Sequence, residues 1–248
     1  AMSGETDRLI NLTKSFSKNP NPIDFDNAIS SGENVSCALM SICLNNQKIK
    51  AKSLLSWQIP IITSSEHMKS RILSINKKFL YDELENFEVL LIPGFQGINN
   101  KGELTTLGRG GSDTSAVAVA AAMETECIIY TDVEGVFTTD PNIVPKAKKI
   151  NKISYEEMLE LASQGAKVLQ TRSVELAMRK NTKLSVRSSF KPKKIGTMIT
   201  DEKSVLENNT VSGITYSKDE AKITLSRVQD KPGVSSKIFG PLAKGNIN

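Results

Sequence analysis

The most informative segment of the sequence is Gly108-Arg109-Gly110-Gly111-Ser112-Asp113, followed directly by the apolar run 114–123. Glycines let backbone N–H groups approach a ligand where a Cβ would collide, and the first turn of the following helix directs unpaired donors and a positive dipole end to the same point. Arg109 adds a planar guanidinium that suits a carboxylate or a phosphate. The same pattern also fits a tight turn that caps a helix without a ligand, but the arginine and the Ser112-Asp113 helix start favour an anion site.

Outward from this loop, predicted strands alternate with predicted helices, which is typical of an α/β sheet with helices on its faces. Predicted helices cover residues 5–16, 33–44, 116–123 and 174–180, and another begins at a capping box of Ser154 and Glu157. Predicted strands cover residues 50–54, 71–75, 87–92, 127–130, 184–187 and 197–200. The continuous apolar run 87–92 indicates a buried central strand. The strand 127–130 ends at Thr131-Asp132, and ligands of open α/β sheets bind at such carboxyl ends.

Composition indicates an ordinary globular protein, since 39% of the 248 residues are apolar and 24% are charged. The sequence contains no apolar run long enough to span a membrane and no secretory signal pattern, so we expect no membrane partner. Cys37, Cys43 and Cys127 are odd in number and lie in apolar surroundings, which predicts reduced core residues of a cytoplasmic protein. The single histidine, His67, argues strongly against a zinc site, and its polar surroundings predict a surface loop.

The net charge of +5 and the isoelectric point near 9.0 raise the possibility of a nucleic-acid partner. The basic residues concentrate in two clusters, Lys146, Lys148, Lys149 and Lys152, and Lys191, Lys193 and Lys194. Neither cluster carries the interleaved aromatic residues that stack bases. We therefore predict no nucleic-acid partner and interpret the clusters as a solvated lysine face. A basic surface near an anionic nucleotide would have the same composition.

The C-terminal residues differ in pattern from the rest. Residues 201–209 are polar and unpatterned, which predicts a linker after a domain that covers residues 1–200. Residues 210–248 contain a predicted strand at 221–228 and a helix that begins near residues 230–233 with Val234, Ile238 and Leu242 on one face. One strand and one helix cannot form an independent core.

Several ordered motifs together give the chain a strong resemblance to the aspartate kinases of the amino acid kinase superfamily, along its whole length. The motifs that carry the resemblance are Ser3-Gly4-Glu5-Thr6-Asp7, Ser31-Gly32-Glu33, Pro93-Gly94-Phe95, residues 107–113, residues 131–136, Asp140-Pro141, residues 152–158 and Gly165-Ala166-Lys167-Val168. Residues 230–234 resemble the first loop of an ACT module, the amino-acid-sensing unit of this family. The resemblance therefore implies an amino acid kinase fold, with a mainly parallel central sheet, followed by a partial ACT module at 210–248.

The resemblance implies transfer of the γ-phosphoryl group of ATP to the side-chain carboxylate of L-aspartate, the first step toward lysine, threonine and methionine. Such a reaction depends on alignment and on neutralising negative charge, with Mg²⁺ on the phosphates. By similarity, Arg109 and Asp113 are catalytic, and the substrate-binding residues are Glu33, at the ammonium group, with Arg109, Ser112 and Asp113. The implied nucleotide-binding residues are Thr131, Asp132, Phe137, Asp140 and Lys167. A complete ACT module would imply a homodimer.

Local patterns also allow simpler interpretations of these residues. Glu33 could begin a helix, Asp132 could cap a turn with Gly135, and Lys167 could be an exposed lysine. The family's Lys-Phe-Gly-Gly-Thr-Ser loop, which holds the transferring phosphate, does not occur in these 248 residues, so we expect little turnover from them alone. Asn142 and Gln170-Thr171 replace an arginine and a His-Pro pair that are common in the family. A non-catalytic fragment that at most binds nucleotide or amino acid stays open, as does, more weakly, a kinase of glutamate, acetylglutamate or uridylate.

Overall fold

The structure is a computed structural model that describes residues 1–59, 61–166, 168–201, 213–215 and 233–244. The chain divides into two compact units, Ala1–Tyr216 and Ser217–Asn248. The predicted linker and the predicted strand at 221–228 lie almost entirely outside the described residues, so the predicted domain boundaries stay a prediction. In the second unit, helix α7 (Val234–Lys244) occupies the position predicted for a helix after residues 230–233.

The first unit contains six described helices: α1 (Glu5–Phe16), α2 (Pro22–Asn46), α3 (Lys77–Leu84), α4 (Gly111–Ala122), α5 (Tyr155–Ser163) and α6 (Thr171–Lys180). The predicted bounds of α1 are confirmed to the residue. The capping box of α5 is also confirmed, because the Ser154 side chain accepts from the Glu157 N–H while the Glu157 side chain accepts from the Ser154 N–H. Both signals are local, which explains why the sequence predicts them well.

Helix α2 corrects one prediction, because it begins at Pro22 and not at Glu33. The Asn21 side chain caps the helix by accepting from the Ile23 N–H, and proline at the first helical position is already set for a helix. Gly32 lies inside the helix, where a Cβ would come within 3.1 Å of Glu5 Cγ on α1. Glu33 is therefore in the helix interior, which excludes the interpretation that it only begins a helix.

The described strands are β1 (Ala51–Ser53), β2 (Ile61–Thr63), β3 (Ile72–Ile75), β4 (Val89–Leu91), β5 (Gln96–Ile98), β6 (Leu104–Thr106), β7 (Cys127–Thr131), β8 (Lys152–Ser154), β9 (Leu184–Ser188) and β10 (Thr197–Thr200). Over the part of the chain that is described, they form a parallel β1-β4 pair and two mixed sheets of order β3-β2-β5-β6 and β7-β9-β10-β8. In the last sheet, β7 is parallel to β9 and β8 is parallel to β10. The predicted α/β class is confirmed.

Strand β4 corrects a second prediction, because it is shorter than residues 87–92 and only half-buried. Among the described strands it pairs with β1 alone, so the apolar run does not make it a buried central strand. The strands β2, β5, β6 and β8 and the helix α3 were not predicted. Each of these strands is 3 residues long, which is too short for a periodic pattern.

Three apolar clusters hold the first unit together. The largest packs α4, α5 and α6 on the β7-β9-β10-β8 sheet and includes Val117, Met158, Val174 and Leu184. A second lies under α3 around Leu54, Ile59, Ile61 and Leu80. The third joins α1 to α2 through Leu9, Phe25 and Ile29, with Phe95 packed against it. This third cluster brings α2 next to the segment that leads into the glycine loop.

The cysteine prediction is wrong for one residue. Cys127 is buried, Cys37 is partly buried and Cys43 is exposed, and all are free thiols. Cys43 lies on the outward face of α2, where Val35, Leu39 and Ile42 are also about half exposed or more. In the described residues, no helix has the length and apolar character needed to cross a membrane.

Candidate functional site

A cleft of about 210 Å³ opens where the glycine loop meets the N-terminus of α4. Its lining residues come from separate parts of the chain: Thr6, Glu33, Phe95, Gly108, Arg109, Gly110, Gly111 and Ser112. The structure therefore brings together three sequence-predicted residues, Glu33, Arg109 and Ser112. Thr6 and Phe95 belong to motifs that carry the family resemblance, but the sequence predicted no role for either.

The backbone of the loop explains why glycine occurs at two of its positions. Gly108 and Gly110 have φ angles of 77° and 70°, in the left-handed region that other residues rarely adopt. A Cβ on Gly108 would lie 2.7 Å from the Met68 carbonyl oxygen, and a Cβ on Gly110 would overlap the Gln170 side chain. The loop is therefore both bent and tightly enclosed, and it leads directly into the N-terminus of α4, where Gly111 and Ser112 line the cleft.

The cleft carries opposite charges on different elements. Glu33 on α2 has a side chain that is 15% exposed, and its Oε2 lies 2.5 Å from the α-ammonium group of Ala1. Arg109 is exposed, and within the described ranges no carboxylate forms an ion pair with it. The cleft thus holds a carboxylate on α2 and a guanidinium on the glycine loop. A zwitterion with a free carboxylate matches this arrangement.

Ser112 and Asp113 face different surroundings although they are neighbours. Ser112 lines the cleft, and its Cα would be 3.2 Å from a Cβ on Gly94. Asp113 does not line the cleft; its carboxylate accepts a hydrogen bond from the backbone N–H of Gln170 at the start of α6. Burial raises the pKa of Asp113, and the hydrogen bond opposes that rise. The predicted catalytic role of Asp113 stays a prediction.

Two of the predicted nucleotide-binding residues, Thr131 and Asp132, lie at the carboxyl end of β7. The Thr131 carbonyl oxygen accepts from the backbone N–H and the hydroxyl of Ser189, and the Thr131 hydroxyl donates to Asp132 Oδ1 at 3.0 Å. Asp132 is exposed. This placement at a carboxyl end is the one that open α/β sheets use for ligands.

The remaining predicted nucleotide-binding residues lie farther along the chain. Phe137 forms an isolated antiparallel bridge with Lys149 and is partly buried. Asp140 is exposed, and its Oδ1 accepts from the Asn142 N–H in a local turn. Lys167 lies outside the described residues, so its predicted contact with the phosphates stays a prediction.

Two lysines of the second basic cluster, Lys191 and Lys194, form ion pairs with a residue that follows β7. Glu134 pairs with Lys191 at 2.5 Å and with Lys194 at 3.2 Å. The hydrogen bonds from these two lysines lower the pKa of the Glu134 carboxyl. Lys191 and Lys194 are nevertheless exposed, in keeping with a solvated lysine face, and Glu134 neutralises part of their charge.

Two residues near the loop were missed or wrongly placed by sequence reasoning. Arg172 on α6 donates to the Leu107 carbonyl oxygen at 2.9 Å and to the Ser70 carbonyl oxygen at 2.8 Å, which holds the residue before Gly108. His67 lies in a loop, as predicted, but its side chain is only 13% exposed and its Nδ1 lies 2.8 Å from Asp26 Oδ2. The partner is remote in sequence, so the polar surroundings of His67 could not predict this contact.

The fold and the cleft define an α/β protein in which a glycine loop and an exposed arginine line a cleft at a helix N-terminus. The amino acid kinase family model matches residues 1–188, and the chain belongs to this family. The chain is 49% identical to an aspartate kinase of Pseudomonas putida over 249 aligned positions, which cover all of this chain and 60% of that relative. The chain therefore spans about 60% of the length of the curated relatives that it matches.

Solved structures give the same family relationship. The chain resembles aspartate kinase from Synechocystis with a TM-score of 0.71 and 36% identity, over 100% of this chain and 42% of that one. It resembles Escherichia coli aspartokinase III, solved in complex with aspartate and ADP, with a TM-score of 0.69 and 26% identity, over 100% of this chain and 57% of that one. The predicted amino acid kinase fold is confirmed.

Proposed function

We propose that the chain is the substrate-binding part of an aspartate kinase and that its cleft binds L-aspartate. The observation that carries the proposal is that Glu33 and Arg109 line one cleft at the N-terminus of α4. Glu33 would pair with the substrate ammonium group, and Arg109 would bind a substrate carboxylate. Ser112 and the first N–H groups of α4 would complete the anion site.

ATP would bind at the end of β7, beside Thr131 and Asp132, with Lys167 at the phosphates. An oxygen of the aspartate side chain would attack the γ-phosphorus, the bond from that phosphorus to the β,γ-bridging oxygen would break, and ADP would leave with the bond's electron pair. The protein would align the two substrates and neutralise charge. Within the described ranges, no three His, Cys, Asp or Glu side chains group to hold a metal, and Mg²⁺ would enter with the nucleotide phosphates.

The other parts of the proposal rest on resemblance to the relatives. The product would be 4-phospho-L-aspartate, on the route to lysine, threonine and methionine. We propose a cytoplasmic protein, in keeping with its free thiols. Homodimers would form through complete ACT modules, of which residues 210–248 would be the beginning.

Calorimetric titration of L-aspartate into the wild-type chain, Arg109→Ala and Lys101→Ala tests the proposal. Lys101 is an exposed cation in a nearby turn and serves as the matched control. Because hydrogen bonds to charged groups are worth about 1.5–3 kcal/mol, Arg109→Ala should weaken binding about 10- to 100-fold while Lys101→Ala leaves it unchanged. Equal affinities for the wild-type and Arg109→Ala chains would refute the assignment.

Catalysis is tested in a chain extended by the N-terminal strand and Lys-Phe-Gly-Gly loop of the family. We expect ATP-dependent acyl phosphate, trapped as hydroxamate, with aspartate but not with glutamate, and none with Arg109→Ala. Equal rates with glutamate would overturn the substrate assignment, and binding without turnover would support the non-catalytic alternative.

A further inference from the structure

A buried carboxylate lies beside the cleft without lining it. Asp26 on α2 is 0% exposed, and its two oxygens accept four hydrogen bonds. Oδ2 lies 2.8 Å from His67 Nδ1 and accepts from the backbone N–H groups of Met68 at 3.1 Å and Thr106 at 3.0 Å. Oδ1 accepts from the Thr106 hydroxyl at 2.6 Å. A buried charge needs such a set of donors to be stable.

These donors connect Asp26 to the two charged residues of the cleft. Asp26 and Glu33 lie on the same helix about two turns apart, a spacing that places them on one face. Thr106 ends strand β6 and is followed by Leu107, Gly108 and then Arg109. The Asp26–Thr106 hydrogen bonds are therefore a direct connection between the helix that carries Glu33 and the segment that carries Arg109.

The two other donors to Asp26, His67 and Met68, lie in the segment that packs against the same glycine loop. Met68 has a φ of 66°, a strained conformation for a residue other than glycine, and its carbonyl oxygen lies against Gly108. Such a conformation persists only where neighbouring contacts impose it. The hydrogen bond from the Met68 N–H to Asp26 is one of those contacts, and His67 adds a second one at the adjacent residue. His67 Nε2 in turn lies 3.7 Å from Glu103 Oε2.

We propose that Asp26 is a positioning residue, which sets the spacing between Glu33 and Arg109 and so the affinity of the cleft for an α-amino dicarboxylate. The proposal rests on the proposed function of that cleft. Asp26 would act on the amino acid through Thr106 and Met68 and would not touch it. The nucleotide residues at the end of β7 have no described contact with Asp26, so nucleotide affinity should be insensitive to it.

Two adjacent threonines provide a matched test. Thr105 and Thr106 are both 0% exposed, and each hydroxyl makes a hydrogen bond of 2.6 Å, but the Thr105 partner is Thr63 in the sheet. Thr106→Val and Thr105→Val should lower the urea midpoint to similar extents. Only Thr106→Val and Asp26→Asn should weaken L-aspartate binding in calorimetry, by about tenfold, because a hydrogen bond to a charged group is lost or weakened. Thr106→Ser keeps the hydroxyl and should restore wild-type affinity, and ADP affinity should be the same in all variants.

Equal aspartate affinities in Thr106→Val and Thr105→Val would overturn the positioning role, even if Asp26→Asn fails to fold. If the wild-type chain binds no aspartate, the proposed function fails, and amide hydrogen exchange then tests the positioning role separately. In that case Thr106→Val should accelerate exchange of the residue 108–112 amides while Thr105→Val does not. Equal exchange in both variants would refute the role of Asp26.

Discussion

Replacing Gly110 by alanine should destabilise the first unit much more than replacing another left-handed glycine. At φ 70°, a residue with a Cβ costs roughly 1–2 kcal/mol of backbone energy. The new Cβ would also lie 2.5 Å from Gln170 Cβ and closer still to Gln170 Cγ. Overpacking of this kind adds about 1–3 kcal/mol, so the expected loss in the free energy of unfolding is roughly 2–5 kcal/mol.

Gly102→Ala separates the two contributions. Gly102 has a φ of 76°, and no atom lies within 4 Å of the position that a Cβ would occupy, so only the backbone cost of about 1–2 kcal/mol should remain. Gln170→Gly should remove the steric part, since Gln170 is the N-cap of α6, makes no side-chain capping bond and tolerates glycine there. The double variant Gly110→Ala/Gln170→Gly should therefore regain about 1–3 kcal/mol relative to the sum of the single changes.

Urea unfolding followed by circular dichroism measures these free energies. Calorimetric titration of each folded variant with L-aspartate measures whether the glycine loop still binds the ligand. We expect Gly110→Ala to weaken aspartate binding as well, because its backbone directly follows Arg109. Two results would refute the steric enclosure of the loop by Gln170. One is that Gly110→Ala lowers the free energy of unfolding no more than Gly102→Ala does, and the other is that Gln170→Gly restores none of the loss.

Two further predictions follow from burial. Burial raises the pKa of Cys37 and of Cys127 to about 11 in each case. At pH 8 a thiol reagent should therefore modify the exposed Cys43 at least about 10²-fold faster than these two thiols. Equal modification rates in the native protein would contradict the structure. Burial also raises the pKa of Asp113, so the stability that its protonated form contributes is present below the ordinary aspartate pKa and is lost as pH rises through the folded-state value. Asp113→Asn should therefore raise the urea midpoint at pH 7, and this gain should disappear toward pH 4. Asp82→Asn, at an exposed site, is the control and should show no such trend. An effect of Asp113→Asn that does not change with pH would refute the burial of the Asp113 charge.

The glycine loop of the candidate site could be predicted from its residues because its signal is local, whereas Glu33 and the nucleotide-binding residues were named by resemblance to a family. The glycine loop before α4 and the capping box of α5 each occupy a few consecutive residues, and the physical requirement for each lies within them. Glu33 is different, since its local pattern was compatible with a helix start. Only its position inside α2 and in the same cleft as Arg109 removes that interpretation.

Local patterns are enough to predict the α/β class, the bounds of α1 and the glycine loop before α4, since hydrophobic periodicity and turn chemistry act over a few residues. Long-range packing places the glycine loop in one cleft with Glu33 and places His67 against the buried carboxylate of Asp26. It also decided that Asp26 bonds to Thr106, a residue 80 positions away. No local sequence pattern predicts contacts between residues so far apart along the chain. These contacts form only when α2, the loop before β3 and strand β6 pack together.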